Sequence, residues 1–169
     1  MRAKIVELFG ADLRSLALLR VVLALLVLTD LAIRATDLYQ HYADAGVLPR
    51  TVLVEEVLSP WVFSLNLMNG EPSFQALLFG VAALGMLVGY RTRLMIFVMW
   101  VLLLAIHLRN PLVNNSSSLL LRMLLFWGML LPLGAYWSVD RARSALPRPS
   151  PRFLSLATFG LFMQIAFVY

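Results

Sequence analysis

The sequence predicts an all-α fold: a polytopic transmembrane bundle of about five spans, with short interfacial helices in its first outer loop. Three observations predict it. Five long apolar stretches, 15–35, 72–90, 94–108, 119–134 and 153–169, fill much of the 169 residues. Hydrophobic residues make up 61% and mean hydropathy is +0.83, well above soluble domains. The stretches are apolar nearly all round, whereas helices of a small soluble domain would keep polar outer faces at a 3.6-residue period. A hydrocarbon core about 30 Å thick needs roughly 20 residues of helix, with a lower limit near 17. Flanking polar residues extend the two stretches that fall short.

The first stretch is longer than the 7–15-residue apolar region of a cleaved signal and continues into Asp30 and Arg34. It is read as a retained helix. The loop that follows, 36–71, mixes Val, Leu, Trp and Phe with Arg50, Glu55 and Glu56 over 49–68. Short helices at the outer interface fit it, with Trp61 and Phe63 at headgroup depth. A re-entrant hairpin broken at Ser59-Pro60 and Asn69-Gly70 is the alternative. Gly80, Gly85 and Gly89 give the second helix a small-residue face, expected against the third. Pro111 ends the third helix, and Asn114 to Ser118 can cap the fourth. Trp127, Tyr136 and Trp137 read as interfacial or helix contacts. Pro147, Pro149 and Pro151 among arginines make a stiff linker before the last helix.

Charge sets the orientation. Arg2, Lys4 and Arg14 precede or open the first helix. The first loop carries Arg50 alone against Asp37, Asp44, Glu55, Glu56 and Glu71. The second loop has Arg91 and Arg93, the third Arg109, and the fourth Arg141, Arg143, Arg148 and Arg152. Basic residues mark the cytoplasmic side, so the N-terminus is inside, and loops one and three are outside. The Arg, Ala and Leu bias fits a GC-rich bacterial gene, so a bacterial inner membrane is expected. The pI near 10.2 does not imply nucleic acid, because the basic residues sit at helix ends and not on a polar domain. Membrane lipids and a membrane-protein partner are the expected neighbours. With no cysteine, and with His41 and His107 lacking a spaced carboxylate motif, no metal site is expected.

Function must lie in polar groups kept at membrane depth. Asp30 and Arg34 share a helix face at i, i+4 and can pair. Arg20 lies near the inner end, where its long side chain can snorkel. The segment from His107 to Ser116 is the densest polar constellation. His107 is the candidate catalytic proton carrier, since an imidazole exchanges protons near neutral pH. Arg109 is a candidate anion holder. Asp30, Arg34, Arg109, Asn110 and Arg122 form the candidate substrate-binding set around one outer cavity. An ion pair that merely fixes packing is the competing reading of Asp30 and Arg34.

Four strings together resemble one family: Tyr42-Ala43-Asp44-Ala45-Gly46-Val47-Leu48-Pro49-Arg50, Gly89-Tyr90-Arg91-Thr92-Arg93, His107-Leu108-Arg109-Asn110-Pro111-Leu112, and Leu133-Gly134-Ala135-Tyr136-Trp137-Ser138-Val139-Asp140. Their order and spacing resemble the HTTM (horizontally transferred transmembrane) domain, which is similar to the membrane half of vitamin K-dependent γ-glutamyl carboxylase. The resemblance covers nearly the whole chain as a single domain, 1–169. It implies an outer-side cavity for a quinone or other lipophilic molecule. In that carboxylase a lysine before an Asn-Asn pair similar to Asn114-Asn115 acts as base. The corresponding position here is Arg109 or Asn110, and neither is a base. No vitamin K-dependent carboxylation is therefore expected of this chain alone.

Whether the chain is an enzyme stays open. The leading expectation is a membrane protein with an outer-leaflet cavity for a quinone or lipid. A non-catalytic scaffold or partner-binding subunit is the alternative, as is a carboxylase-like enzyme fragment. A transporter is less favoured, without paired broken helices. The last stretch ends on Phe167, Val168 and Tyr169 with no polar anchor, and a carboxylate there would be poorly solvated. The chain is thus expected to be truncated at its C-terminus.

Overall fold

The computed structural model describes residues 9–57, 72–145 and 152–168. Strand β1 (Ala11–Asp12) leads into helix α1 (Leu13–Ala35), whose N-terminus Asp12 caps by accepting the Arg14 N–H at 2.7 Å. Helices α2 (Leu38–Tyr42) and α3 (Arg50–Val52) follow, the latter running into a π-turn at Leu53–Val57. Then come α4 (Pro72–Val88), α5 (Thr92–Arg109), a 3-10 turn (Pro111–Val113), α6 (Ser116–Leu130), α7 (Val139–Ala142), strand β2 (Arg152–Phe153) and α8 (Leu156–Val168). The chain is mostly helical.

The all-α expectation needs one correction. β1 and β2 pair antiparallel, Ala11 opposite Phe153 and Asp12 opposite Arg152. Each precedes a helix, so pairing satisfies extended backbone at two helix starts. Trp61, Phe63, Pro147, Pro149, Pro151 and Tyr169, which carry several of the loop and terminus expectations, lie outside the described residues.

Among the described helices, α1 and α5 are long and apolar enough to cross a membrane. α4, α6 and α8 have 17, 15 and 13 residues. At 1.5 Å per residue these helices are about 25, 22 and 20 Å long. The apolar stretches overstate helix length because turns are apolar too. Leu131 is extended (ψ 148°), and the stretch beyond it turns at Pro132. Phe153 belongs to β2, and α8 starts only after Ser155 and Thr158 exchange hydrogen bonds: Thr158 N–H to Ser155 Oγ and Ser155 N–H to Thr158 Oγ1.

α1 packs on α4, α4 on α5 and α5 on α6, while α6 meets α8 and α1 more sparsely. Leu23 and Val27 of α1, Phe79 and Met86 of α4, Ile96, Met99 and Leu103 of α5, and Leu125 of α6 form the buried centre. The outer faces are also apolar: Leu25, Leu77, Val81, Leu84, Phe97 and Phe162 are all exposed. The glycine face serves two neighbours and not only the third helix. Gly85 lies against Met95 of α5, but Gly80 faces Leu31 of α1 and Gly89 faces Arg20.

Candidate functional site

The site is built around Arg34, in the last turn of α1. Its Nε donates to Asp30 Oδ2 at 2.8 Å, as the i, i+4 spacing allows. Its Nη1 donates to the Tyr42 hydroxyl at 2.6 Å and its Nη2 to the Ser118 hydroxyl at 3.2 Å. Tyr42 is carried there by α2. Ser118 is fixed by Asn115, whose Oδ1 accepts from the Ser118 N–H at 2.9 Å and caps α6. The Arg34 side chain is 9% exposed and that of Asp30 is 28% exposed, so the carboxylate keeps an open side.

That open side faces a cleft of about 280 Å³ between α1 and α6. Leu26, Thr29, Asp30 and Ile33 line it from α1, and Ser117, Ser118, Leu120, Leu121 and Leu124 from α6. The α1 set has the i, i+3, i+4, i+7 spacing of one helix face, and so does the α6 set apart from Ser118. The sparse α1–α6 contact leaves the groove open along its length. Its walls are apolar except at the Asp30 end.

The remaining sequence-predicted residues divide into two groups. His107 is 3% exposed, and its Nε2 has no hydrogen-bond partner among the described residues. The charges of Arg34, Arg122 and Asp30 all act on its ring. Arg122 is half-buried on α6, one turn beyond Ser118. The structure therefore joins Asp30, Arg34, Tyr42 and Ser118 by hydrogen bonds, with His107 and Arg122 within electrostatic range and neither of them lining the groove.

Arg109 and Asn110 belong elsewhere. Arg109, 2% exposed, donates through Nη1 to the Leu48 carbonyl at 2.8 Å. Its Nη2 reaches the Ala43 carbonyl at 2.9 Å and Asp44 Oδ1 at 3.3 Å. Asn110 donates to the His41 carbonyl and accepts from the Leu112 N–H. These two side chains hold the loop between α2 and α3 against the end of α5. The anion-holding role expected of Arg109 loses its donors to that loop, whose carbonyls need partners once buried. Asn114 donates to the His107 carbonyl at 2.7 Å, so of the Asn114-Asn115 pair only Asn115 caps α6. No group of three or more potential metal ligands occurs among the described residues.

A second polar cluster, at the opposite end of the bundle, was not apparent from the sequence. Arg20 does not snorkel. It is 1% exposed and donates through Nη2 to the Trp137 carbonyl at 2.6 Å. A Cβ on Gly89 would lie 2.1 Å from Arg20 Nη1, so glycine is required there. Gly89 also has φ +73°, a conformation glycine adopts freely. Asp140 accepts from the Arg91 N–H, the Thr92 N–H and the Thr92 hydroxyl at 2.7, 2.7 and 2.8 Å, and thereby caps α5. Burial alone would raise the Asp140 carboxyl. The Thr92 and Arg91 hydrogen bonds, with the Arg20 charge, outweigh it and hold the group below the ordinary carboxylate value. Trp137 itself is 65% exposed with φ +49°, while Trp127 stands edge-on to Phe126 and close against Gly160.

No protein-family model, curated protein or solved structure matches the chain.

Proposed function

We propose that the chain is an integral membrane protein of about five spans, HTTM-like in kind, whose α1/α6 groove binds a lipophilic molecule, a quinone or lipid. The N-terminus is cytoplasmic in a bacterial inner membrane, and the groove opens to the outer leaflet. One observation carries this reading: an apolar groove that ends at the partly open carboxylate of the Asp30–Arg34 pair. Apolar walls with a few convergent polar groups are the usual make-up of a small-molecule site. A charged side chain at membrane depth costs about 2.5–3.5 kcal/mol or more near the centre. Arg34 meets that cost through three hydrogen bonds, and they leave one Asp30 oxygen toward the groove. The alternation of arginines between loops supports the orientation.

Binding is favoured over turnover. A proton-carrier role for His107 would act from behind the groove wall, because the ring is buried and off the lining. The second reading is a non-catalytic scaffold that binds a membrane partner. The Arg109 latch favours it, since the family-like motif then serves to hold a loop. A carboxylase-like fragment is the third reading, and it lacks the lysine base.

Mass spectrometry of lipids co-purified in mild detergent tests the proposal. The wild-type chain is expected to retain one lipophilic compound near stoichiometric amounts. Leu26→Trp, at a half-exposed position on the groove wall, should lose that compound while keeping wild-type thermal stability. Equal retention by the variant overturns the groove assignment, and a wild-type chain with no bound compound favours the scaffold.

A further inference from the structure

The directions of the hydrogen bonds on the groove wall decide which polar head it accepts. The Thr29 hydroxyl donates to the Leu25 carbonyl at 2.9 Å. The Ser117 and Ser118 hydroxyls both donate to Asn115 Oδ1, at 2.6 and 3.0 Å. A serine or threonine hydroxyl has one proton to give, so these three turn only lone pairs outward. Ser118 also accepts from Arg34. The guanidinium is in turn engaged by Asp30, Tyr42 and Ser118. Asp30 uses Oδ2 for Arg34, and its Oδ1 receives no donor among the described residues.

The polar end of the groove is therefore an acceptor surface made of Asp30 Oδ1, Thr29 Oγ1 and Ser117 Oγ. Its charge is not that of a cation site. Arg34 neutralises Asp30, and Arg122 adds a positive charge within electrostatic reach of the same cluster. We propose that the groove selects an amphiphile with a neutral hydroxyl head, of the long-chain alcohol type, its O–H donating to Asp30 Oδ1. The proposal rests on the α1/α6 groove being the lipid site. A carboxylate or phosphate head would set acceptor against acceptor. A carbonyl head, including an oxidised quinone, would likewise leave Asp30 Oδ1 unpaired. Leaving a desolvated acceptor without a donor is what such a site discriminates against.

The test uses the full chain in detergent with three radiolabelled probes of equal length: 1-hexadecanol, hexadecyl methyl ether and palmitate. The ether keeps the oxygen and the tail but has no proton to donate. Wild-type protein is expected to bind the alcohol at one per chain, and the ether and palmitate at least about tenfold more weakly, the loss of one hydrogen bond to a charged acceptor. Leu26→Trp should abolish alcohol binding. Asp30→Ala, which releases Arg34 Nε, should reverse the preference toward palmitate. Equal binding of alcohol and ether, or tighter binding of palmitate to wild type, overturns the hydroxyl assignment and leaves the groove standing. Alcohol binding that survives Leu26→Trp overturns the groove itself, and no binding of any probe to wild type overturns both. The wild-type ratios decide the matter even where Asp30→Ala fails to fold.

Discussion

Gly89→Ala tests how the Arg20 cluster holds one end of the bundle. Residue 89 sits at φ +73°, where an L side chain is strained by about 1–2 kcal/mol. The added Cβ would approach Arg20 Nη1 to 2.1 Å and Ser138 Cβ to 2.4 Å. The guanidinium can swing away, but only by giving up its bond to the Trp137 carbonyl and its attraction to Asp140. A hydrogen bond to a charged group is worth about 1.5–3 kcal/mol. Ser138 cannot yield in this way, because its Cβ moves only with the backbone, and overpacking of that kind costs about 1–3 kcal/mol. Together these give a loss of about 3.5–8 kcal/mol, a large share of the 5–15 kcal/mol typical of a native protein. Reversible unfolding in mixed dodecyl maltoside and SDS micelles, followed by tryptophan fluorescence, measures it. Adding Arg20→Ala should recover part of the loss, with a coupling of about 1 kcal/mol or more between the two changes. A Gly89→Ala effect below about 0.5 kcal/mol, or strict additivity with Arg20→Ala, refutes the cluster as a structural clamp.

Two further outcomes are expected. The Asp140 carboxyl lies below its ordinary value in the fold, so its contribution is complete above the unfolded value of about 3.9 and is lost as pH falls through the lower folded value. The stability gap between wild type and Asp140→Asn should hold constant from pH 7 to 5 and narrow below about pH 4; a gap unchanged down to pH 3 contradicts this. Arg109→Lys replaces a fork that spans two carbonyls with a single ammonium. It should cost about 2 kcal/mol and speed proteolysis within residues 43–50, without altering probe binding in the groove; an undisturbed loop in limited proteolysis would show that the latch is not needed.

How far the site was legible follows from sequence separation. Asp30 and Arg34 pair within one turn of one helix, and their contact follows from helical spacing alone. The capping of α6 by Asn115 is equally local. Arg109 looked like a ligand holder because its partners, the Leu48 and Ala43 carbonyls, lie 61 and 66 residues earlier, and backbone carbonyls leave no trace in side-chain identity. Arg20 looked like a snorkelling charge because its acceptor is the carbonyl of a residue 117 positions away. Gly89 looked like part of a helix-packing stripe, and only its left-handed φ and the closeness of Arg20 give it a different task.

Sequence by itself determined the apolar helices, their order, and the break at Pro111, because hydrophobic runs and backbone restrictions act over a few residues. It also determined that the Asp30–Arg34 pair shares one face of α1. Tertiary structure alone decided that α1 and α6 stand apart enough to leave a groove, and that Ser118 and Tyr42 complete the shell of Arg34. Those are properties of neighbours brought together by helix packing. The same residues in another packing would leave Arg34 without Ser118 and the Asp30–Arg34 pair without a groove.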